Sequence, residues 1–139
     1  MKLLAIMLAC LTMTMTTDSD PTDYKTAYNK AQQGDKPLLV LVTAEWCPPC
    51  QVMKSTTIPE LMKKNAFKDF HYATVDLDID QKLARQLIGT GGVPQLIMFE
   101  KKNKRWVKRY LKGIQTTNNV EAFMARAKSP RTANAGSVK

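Results

Sequence analysis

Residues 37–53 read PLLVLVTAEWCPPCQVM, and they give the strongest indication of the fold. It opens with Leu38 to Val42, an unbroken apolar run that is typical of a strand buried on both faces of a sheet. Cys47 and Cys50 follow, and Gln51 to Lys64 has the composition of a helix. A reactive thiol requires this position between strand and helix, because a helix N-terminus stabilises the nucleophilic thiolate.

The spacing of the two cysteines predicts a thiol–disulfide mechanism. With two residues between them, both sulfurs lie in the first helical turn, close enough to form a disulfide. We expect Cys47, at the helix start, to be exposed, and Cys50, one turn further in, to be shielded. Cys47 would attack a partner's disulfide as the nucleophile, and Cys50 would then resolve the mixed disulfide. This chemistry needs no metal and no organic cofactor.

Other uses of a Cys-x-x-Cys pair fit the sequence less well. A structural zinc site requires four ligands, and His71 is the only obvious ligand besides the two cysteines. Haem attachment needs a histidine directly after the second cysteine, where Gln51 stands. The alternative function is Cu(I) binding or metallocentre assembly, since soft thiolates suit Cu(I). Met53 could add a thioether to such a site, but its helical spacing favours a core position.

The remaining chain alternates helices and strands, which indicates an α/β fold with a central mixed β-sheet flanked by helices. We expect parallel pairing between strands that alternate with helices, and an antiparallel hairpin at one edge. The long helix after Cys50 should turn Val52 and Met53 inward and break near Pro59. The other predicted elements are a helix from Asp20-Pro21 to Gly34, strands at 70–77, 95–99 and 105–111, and helices at 81–88 and around 120–127.

The segment Ala44 to Cys50 resembles the active-site segment of thioredoxins, and Val93-Pro94 matches the cis-proline of that family. The resemblance covers Pro37 to Ala127. The stretch from Cys50 to Lys54, followed by Thr56-Thr57, is more similar to the secreted thioredoxin-like domains of bacterial thiol:disulfide interchange proteins. The resemblance implies a thioredoxin-like fold and protein thiols and disulfides as partners.

Substrate-binding residues are also implied by the resemblance. Val93 would offer its backbone to a partner chain, Pro94 would shape the groove, and Trp46 would cover the site. Pro48 and Pro49 complete the surface beside the cysteines. The expected activity is disulfide exchange with envelope or secreted proteins through this CPPC segment, as a reductant or isomerase.

Two departures from thioredoxins qualify that activity. Leu41 stands where thioredoxins carry a buried aspartate that assists proton transfer at the second cysteine. Proton transfer at Cys50 must then use water or another group, and an adaptor with slow redox turnover is a further hypothesis. The pair Pro48-Pro49 lacks the histidine of strongly oxidising relatives, so strong oxidising power is not implied.

Residues 1–17 have the order of a secretory signal: Lys2, an apolar run from Leu3 to Met15, and a polar exit. We therefore expect export to a bacterial periplasm or cell envelope. Cys10 allows a lipid anchor as a less favoured alternative. Residues 18–128 would form the thioredoxin-like domain, and 129–139 a disordered polar tail.

The formal net charge of +9 implies attraction to acidic surfaces. No nucleic-acid-binding motif accompanies this charge, so we expect no nucleic-acid partner, and we expect a monomer. Seven basic residues gather in the predicted hairpin 101–112. Lysines on edge strands block sheet-to-sheet aggregation, which is the simplest interpretation. The sharper hypothesis is a docking surface for an acidic redox partner or for anionic lipid head groups.

Overall fold

The computed structural model describes residues 23–128, in which one four-stranded sheet has helices on both faces. The order of strands is β2-β1-β3-β4, so β1 is central, as its unbroken apolar sequence predicts. The predicted signal peptide, Cys10 and the polar tail after 128 lie outside the described residues. The elements are α1 (Tyr24–Gln33), β1 (Leu38–Thr43), α2 (Pro48–Val52), a π-helical turn (Met53–Thr57), α3 (Ile58–Lys63), a 3-10 turn (Ala66–Asp69), β2 (His71–Asp76), α4 (Gln81–Ile88), β3 (Gln95–Lys102), β4 (Arg105–Lys112) and α5 (Thr117–Lys128).

The sheet is mixed, as predicted, but the direction of β3 differs from the expectation. β1 and β2 are parallel, whereas β3 is antiparallel to β1 and to β4. The eight residues of α4 span only ~12 Å, less than the ~20 Å of a six-residue strand. The chain therefore does not return to the far end of the sheet before β3 begins, and β3 runs in the opposite direction.

Both faces of the sheet are buried by helices. Leu39 and Leu41 point to the face covered by the segment from Met53 to Leu61 and by α5. Leu38, Val40 and Val42 point to the face covered by α1 and α4. Burial of Tyr72 in the first of these cores raises the pKa of its hydroxyl to about 12. Within residues 23–128, no helix is long and apolar enough to cross a membrane.

Two details of the predicted helices are wrong. The structure begins α1 at Tyr24 rather than at Asp20-Pro21, because the side chain of Asp23 accepts a hydrogen bond from Thr26 N and caps the helix. The side chain of Val52 is 46% exposed, whereas Met53 is buried as predicted. The helix starts at Pro48, and Cys50 and Met53, three residues apart, both face the core. Val52 lies about 200° around the helix from Cys50 and therefore faces outward, before the π-helical turn that precedes Pro59 begins.

The β3–β4 hairpin is longer than predicted. Its turn consists only of Asn103 and Lys104, both with positive φ, and β3 and β4 run up to it on either side. A two-residue turn of this handedness matches the twist of the flanking strands. Basic side chains near the turn therefore stand on regular strands with a defined face.

Candidate active site

Cys47 and Cys50 form a disulfide at the start of α2, with their Cα atoms 5.2 Å apart. Cys47 is the N-cap residue, and its Sγ accepts a hydrogen bond from the backbone N–H of Cys50 at 3.3 Å. Pro48 and Pro49 occupy the first helical positions, where their lack of an N–H leaves no donor unsatisfied. Within this turn, the amide that donates to the Cys47 sulfur therefore belongs to Cys50, its own disulfide partner.

The burial of the disulfide corrects one expectation. Cys50 is fully buried, as predicted, but Cys47 is only 4% exposed in this oxidised state rather than open to solvent. The two cysteines form a small apolar cluster with Ala44, and Leu77 and Val93 pack against it. Because Leu77 follows β2 and Val93 precedes β3, distant parts of the chain cover the sulfurs.

Trp46 is held beside the disulfide by a carboxylate that the sequence analysis missed. Its indole Nε1 donates to Asp78 Oδ1 at 3.1 Å, and the backbone N–H of Glu45 donates to Asp78 Oδ2 at 2.9 Å. The indole is 66% exposed, so it stands beside the cysteines as an open surface. Asp78 lies directly after β2, and the C-terminal ends of parallel strands meet at one edge of a sheet, which is the signal that could have found it.

The predicted cis-proline is confirmed: the Val93–Pro94 peptide bond is cis. Pro94 is buried, and its carbonyl oxygen accepts a hydrogen bond from Gly113 N at 2.9 Å. The next residue, Gln95, pairs with Val42 of β1, which places Pro94 at the same end of the sheet as the disulfide. The structure thus brings Trp46, Pro48, Pro49, Val93 and Pro94 to one end of the sheet, around the cysteines.

Apolar side chains that the sequence analysis did not single out extend this surface. Ile79 is 87% exposed in the loop that holds Asp78, and Ile114 is 53% exposed immediately after the Gly113 contact to Pro94. Ile114 and Val52 line a groove of about 400 Å³. Solvent-exposed apolar residues around a reactive group are typical of a protein-binding surface.

No carboxylate takes the place of the aspartate that thioredoxins carry at position 41. Leu41 is fully buried in the core cluster beneath the helix that carries Cys50. Two residues on, the hydroxyl of Thr43 is buried and has no hydrogen-bond partner in the described part of the chain. The proton acceptor for Cys50 therefore does not come from Leu41.

His71, the additional ligand weighed for a zinc site, lies far from the two cysteines. His71 starts β2, at the opposite end from the disulfide, where burial and the nearby lysines 36 and 30 lower its pKa. Met53 is fully buried in the core, as expected. Among residues 23–128, no group of three or more histidine, cysteine or acidic side chains is arranged to hold a metal ion. Cu(I) binding stays a prediction.

Comparison with known proteins agrees with this geometry. The thioredoxin-like family model matches residues 18–101. The thioredoxin of Alicyclobacillus acidocaldarius is 35% identical over 98 residues, covering 70% of this chain and 88% of the relative. Thioredoxin Asp f 29 of Aspergillus fumigatus is 30% identical over 79 residues, covering 57% of this chain and 70% of the relative. A solved thioredoxin structure from Thermus thermophilus superposes with a TM-score of 0.64 at 23% identity, covering 76% of this chain and 83% of that one.

A disulfide at a helix N-terminus, beside a cis-proline at the same end of a four-stranded mixed sheet, defines a thiol–disulfide oxidoreductase of the thioredoxin fold. The chain belongs to the thioredoxin-like family, whose members act on protein thiols and disulfides. Both named relatives are thioredoxins, so the finer likeness to bacterial interchange proteins stays a prediction.

Proposed function

We propose that this chain exchanges disulfides with exported proteins, with Cys47 as the attacking sulfur and Cys50 as the resolving one. The observation that carries the proposal is the position of the disulfide at the start of α2, between Trp46 and the Val93–Pro94 bond. An extended partner chain can lie along Val93 while its own disulfide approaches Cys47. Pro48 and Pro49 border this path.

The asymmetry of the two cysteines supports these roles. Cys47 caps the helix and accepts the Cys50 N–H, and such a donor stabilises a thiolate on Cys47 once the disulfide opens. Cys50 is fully buried, so an external disulfide reaches it only through Cys47. Attack by the Cys47 thiolate breaks the partner's disulfide and forms a mixed disulfide; the Cys50 thiolate then breaks this bond, and the partner leaves as a dithiol.

The proposed direction is reduction or isomerisation in a cell envelope. Its support is the Pro48-Pro49 pair, which carries no histidine to stabilise a thiolate, together with the apolar run from Leu3 to Met15. A tagged full-length chain expressed in a bacterium should appear in the periplasmic or envelope fraction. Recovery from the cytoplasmic fraction alone would contradict export without affecting the redox assignment.

The residue roles can be tested by trapping. In a Cys10→Ser background, the chain with Cys50→Ser is reduced and mixed with insulin whose disulfides are intact, and disulfide-linked adducts are separated without reductant. We expect an adduct that dithiothreitol releases. The matched Cys47→Ser variant should form much less, because Cys50 is buried. Equal trapping by both variants would contradict the assigned order.

The direction of electron flow is tested by the reduction potential of the Cys47–Cys50 pair. A Cys10→Ser chain is equilibrated in glutathione or dithiothreitol buffers, and the free thiols of the Cys47–Cys50 pair are counted. A value near −270 mV would match a thioredoxin-like reductant. A value near −120 mV would identify an oxidant and contradict the inference from Pro48-Pro49.

A further inference from the structure

The β3–β4 hairpin carries more positive charge than its neighbours neutralise. The buried carboxylate of Glu100 pairs with Arg109 at 3.0 Å and with Lys102 at 3.5 Å. Lys101 instead donates to the carbonyl oxygens of residues 32 and 34, which carry no net charge. Five cations of the hairpin thus have no acidic partner among residues 23–128: Lys101, Lys104, Arg105, Lys108 and Lys112.

Three of these cations, Lys101, Lys104 and Arg105, lie at the turn end of the hairpin and do not line one face, whereas Lys108 lies in mid-strand and Lys112 at the active-site end. The strand register places Trp106 opposite Lys101, and Lys108 and Tyr110 opposite Phe99 and Ile97, so these side chains share one face of the sheet. Arg105 alternates with them and stands on the opposite face, while Lys104 lies in the turn. Positive charge therefore projects from both faces and from the turn itself.

Apolar side chains stand among these charges, close to the turn. Trp106 and Val107 are each 37% exposed, and because they are consecutive they point to opposite faces. The ammonium group of Lys101 lies 5.2 Å from the centre of the Trp106 ring. A partly exposed indole beside a lysine can rest at a boundary between water and hydrocarbon.

We propose that the hairpin tip, residues 101–107, binds the anionic head-group layer of a lipid bilayer. A protein partner that met the charges on both faces would need a cleft enclosing the hairpin, whereas lipid head groups surround any segment that enters their layer. Each basic residue near an anionic bilayer strengthens binding by about fivefold. Trp106 and Val107 would reach the boundary below the head groups. This surface is independent of the redox residues.

Such a contact would leave the active site free. The tip lies at the end of β3 opposite to the cis-proline, ~24 Å away for seven steps along a strand. The disulfide and Trp46 would therefore face the aqueous side while the tip is bound to the membrane surface. Lys25 and Lys82 are exposed residues at the active-site end, in the first turns of α1 and α4, and provide a matched control.

The experiment measures binding of the full chain to vesicles of phosphatidylglycerol and phosphatidylcholine, and to vesicles of phosphatidylcholine alone. The apolar residues 3–15 act on both vesicle types, so the readout is the ratio of the two affinities. Lys104→Glu/Arg105→Glu should lower this ratio by about 30-fold or more, on the basis of about fivefold for each basic residue. Lys25→Glu/Lys82→Glu changes the net charge equally and should lower it by less than about threefold.

Trp106 gives a second readout. In a Trp46→Phe background, Trp106 is the only indole of the chain, and brominated phosphatidylglycerol vesicles should quench its emission. Thermal unfolding of every variant confirms that it is folded. Equal loss of binding in both charge-reversal variants, or no quenching of Trp106, would overturn the proposal. Binding to poly-glutamate that is tighter than binding to anionic vesicles would assign the tip to an acidic protein instead.

Discussion

The two ends of the sheet differ in the arrangement of their charged side chains. At the active-site end, the cysteines pack against Ala44, Leu77 and Val93, and the nearby carboxylate of Asp78 is engaged by two hydrogen-bond donors. At the hairpin end, cations project from both faces around a single buried carboxylate, Glu100. At the active-site end, packing holds the residues around the two sulfurs in place. At the hairpin end, positively charged side chains extend into solvent.

One small sheet thus carries the redox site at one end and, at the other end, the charges that serve solubility and docking. Thiol–disulfide exchange needs three sulfurs brought into contact, so the surroundings of Cys47 must be well defined. The edge strand β4 needs only to avoid pairing with other sheets, and lysines achieve this in many arrangements. Substitutions at each end of the sheet test this difference.

Leu41→Asp should have the largest effect, because it buries a carboxyl group beneath the active-site end. Leu41 is fully buried in an apolar cluster, and we expect the change to lower the free energy of unfolding by about 4 kcal/mol. Urea denaturation measures this, with Leu41→Ala as the control for lost volume at about 3 kcal/mol. A variant as stable as the wild type, with faster resolution by Cys50, would show that this end accepts buried charge.

Glu100→Gln tests the buried carboxylate of the hairpin end. The Glu100 side chain is 3% exposed, and its loss leaves Arg109, at 15% exposure, without its counter-ion. We expect a loss of about 2 kcal/mol, below the range for a fully buried pair because Lys102 is partly exposed.

The matched control is Glu121→Gln, which breaks an exposed pair with Lys64 at 3.4 Å. Its effect on the free energy of unfolding should stay within about 0.5 kcal/mol. Equal losses in the two variants would mean that Glu100 contributes no more than a surface ion pair.

Asp78→Ala tests whether the hydrogen bond to Trp46 positions the indole for a partner. We expect the KM for a protein disulfide to rise about threefold, while kcat with a small-molecule disulfide is unchanged. Asp78→Asn keeps one carbonyl acceptor and should restore part of the loss. Asp35→Ala, an exposed change at the other end, is the control. A fall in kcat with both substrates would instead place Asp78 in the chemical step.

His71 gives the smallest expected effect, at the end away from the disulfide. Burial, followed by the positive charges of Lys36 and Lys30, lowers its pKa below the ordinary value of about 6.5. The unfolded chain then binds more protons than the folded one, so this contribution is complete above about pH 6.5 and is lost as the pH falls through the lowered pKa. In urea denaturation between about pH 7.5 and pH 5, His71→Gln should lose less stability than the wild type. If the free energy of unfolding changes with pH equally in His71→Gln and in the wild type, the pKa of His71 is not lowered.

Local sequence was enough to predict most of the secondary structure. The uniformly apolar run before the cysteines placed β1 in the centre, and the limits predicted for α4 are the observed ones, Gln81 and Ile88. Both signals lie within one segment of chain. The direction of β3 depends on the length of α4 relative to the sheet, and the outward orientation of Val52 depends on the residue at which the helix begins. Neither appears in hydrophobic periodicity.

The candidate site was predicted only where its residues are adjacent in sequence or matched a family pattern. The cysteine pair and the Val93–Pro94 bond were found in this way. Asp78 and Ile114 were missed, and the burial of Cys47 was wrong, because each depends on loops that meet only after the sheet has formed. Parallel pairing of β1 and β2 brings the Asp78 loop to Trp46, and the return of β4 brings Ile114 to the same end.

Because the Cys47–Cys50 bond is buried in the folded protein, the stability of the protein depends on its redox state. Folding and reduction form a closed thermodynamic cycle. The oxidised and reduced forms therefore differ in their free energy of unfolding in proportion to the difference in reduction potential between the folded and unfolded chains. Each 1.4 kcal/mol of extra stability in the oxidised form corresponds to about 30 mV of added reducing power. Two denaturation curves, one with and one without dithiothreitol, therefore indicate the direction in which the protein carries electrons, before any physiological partner is known.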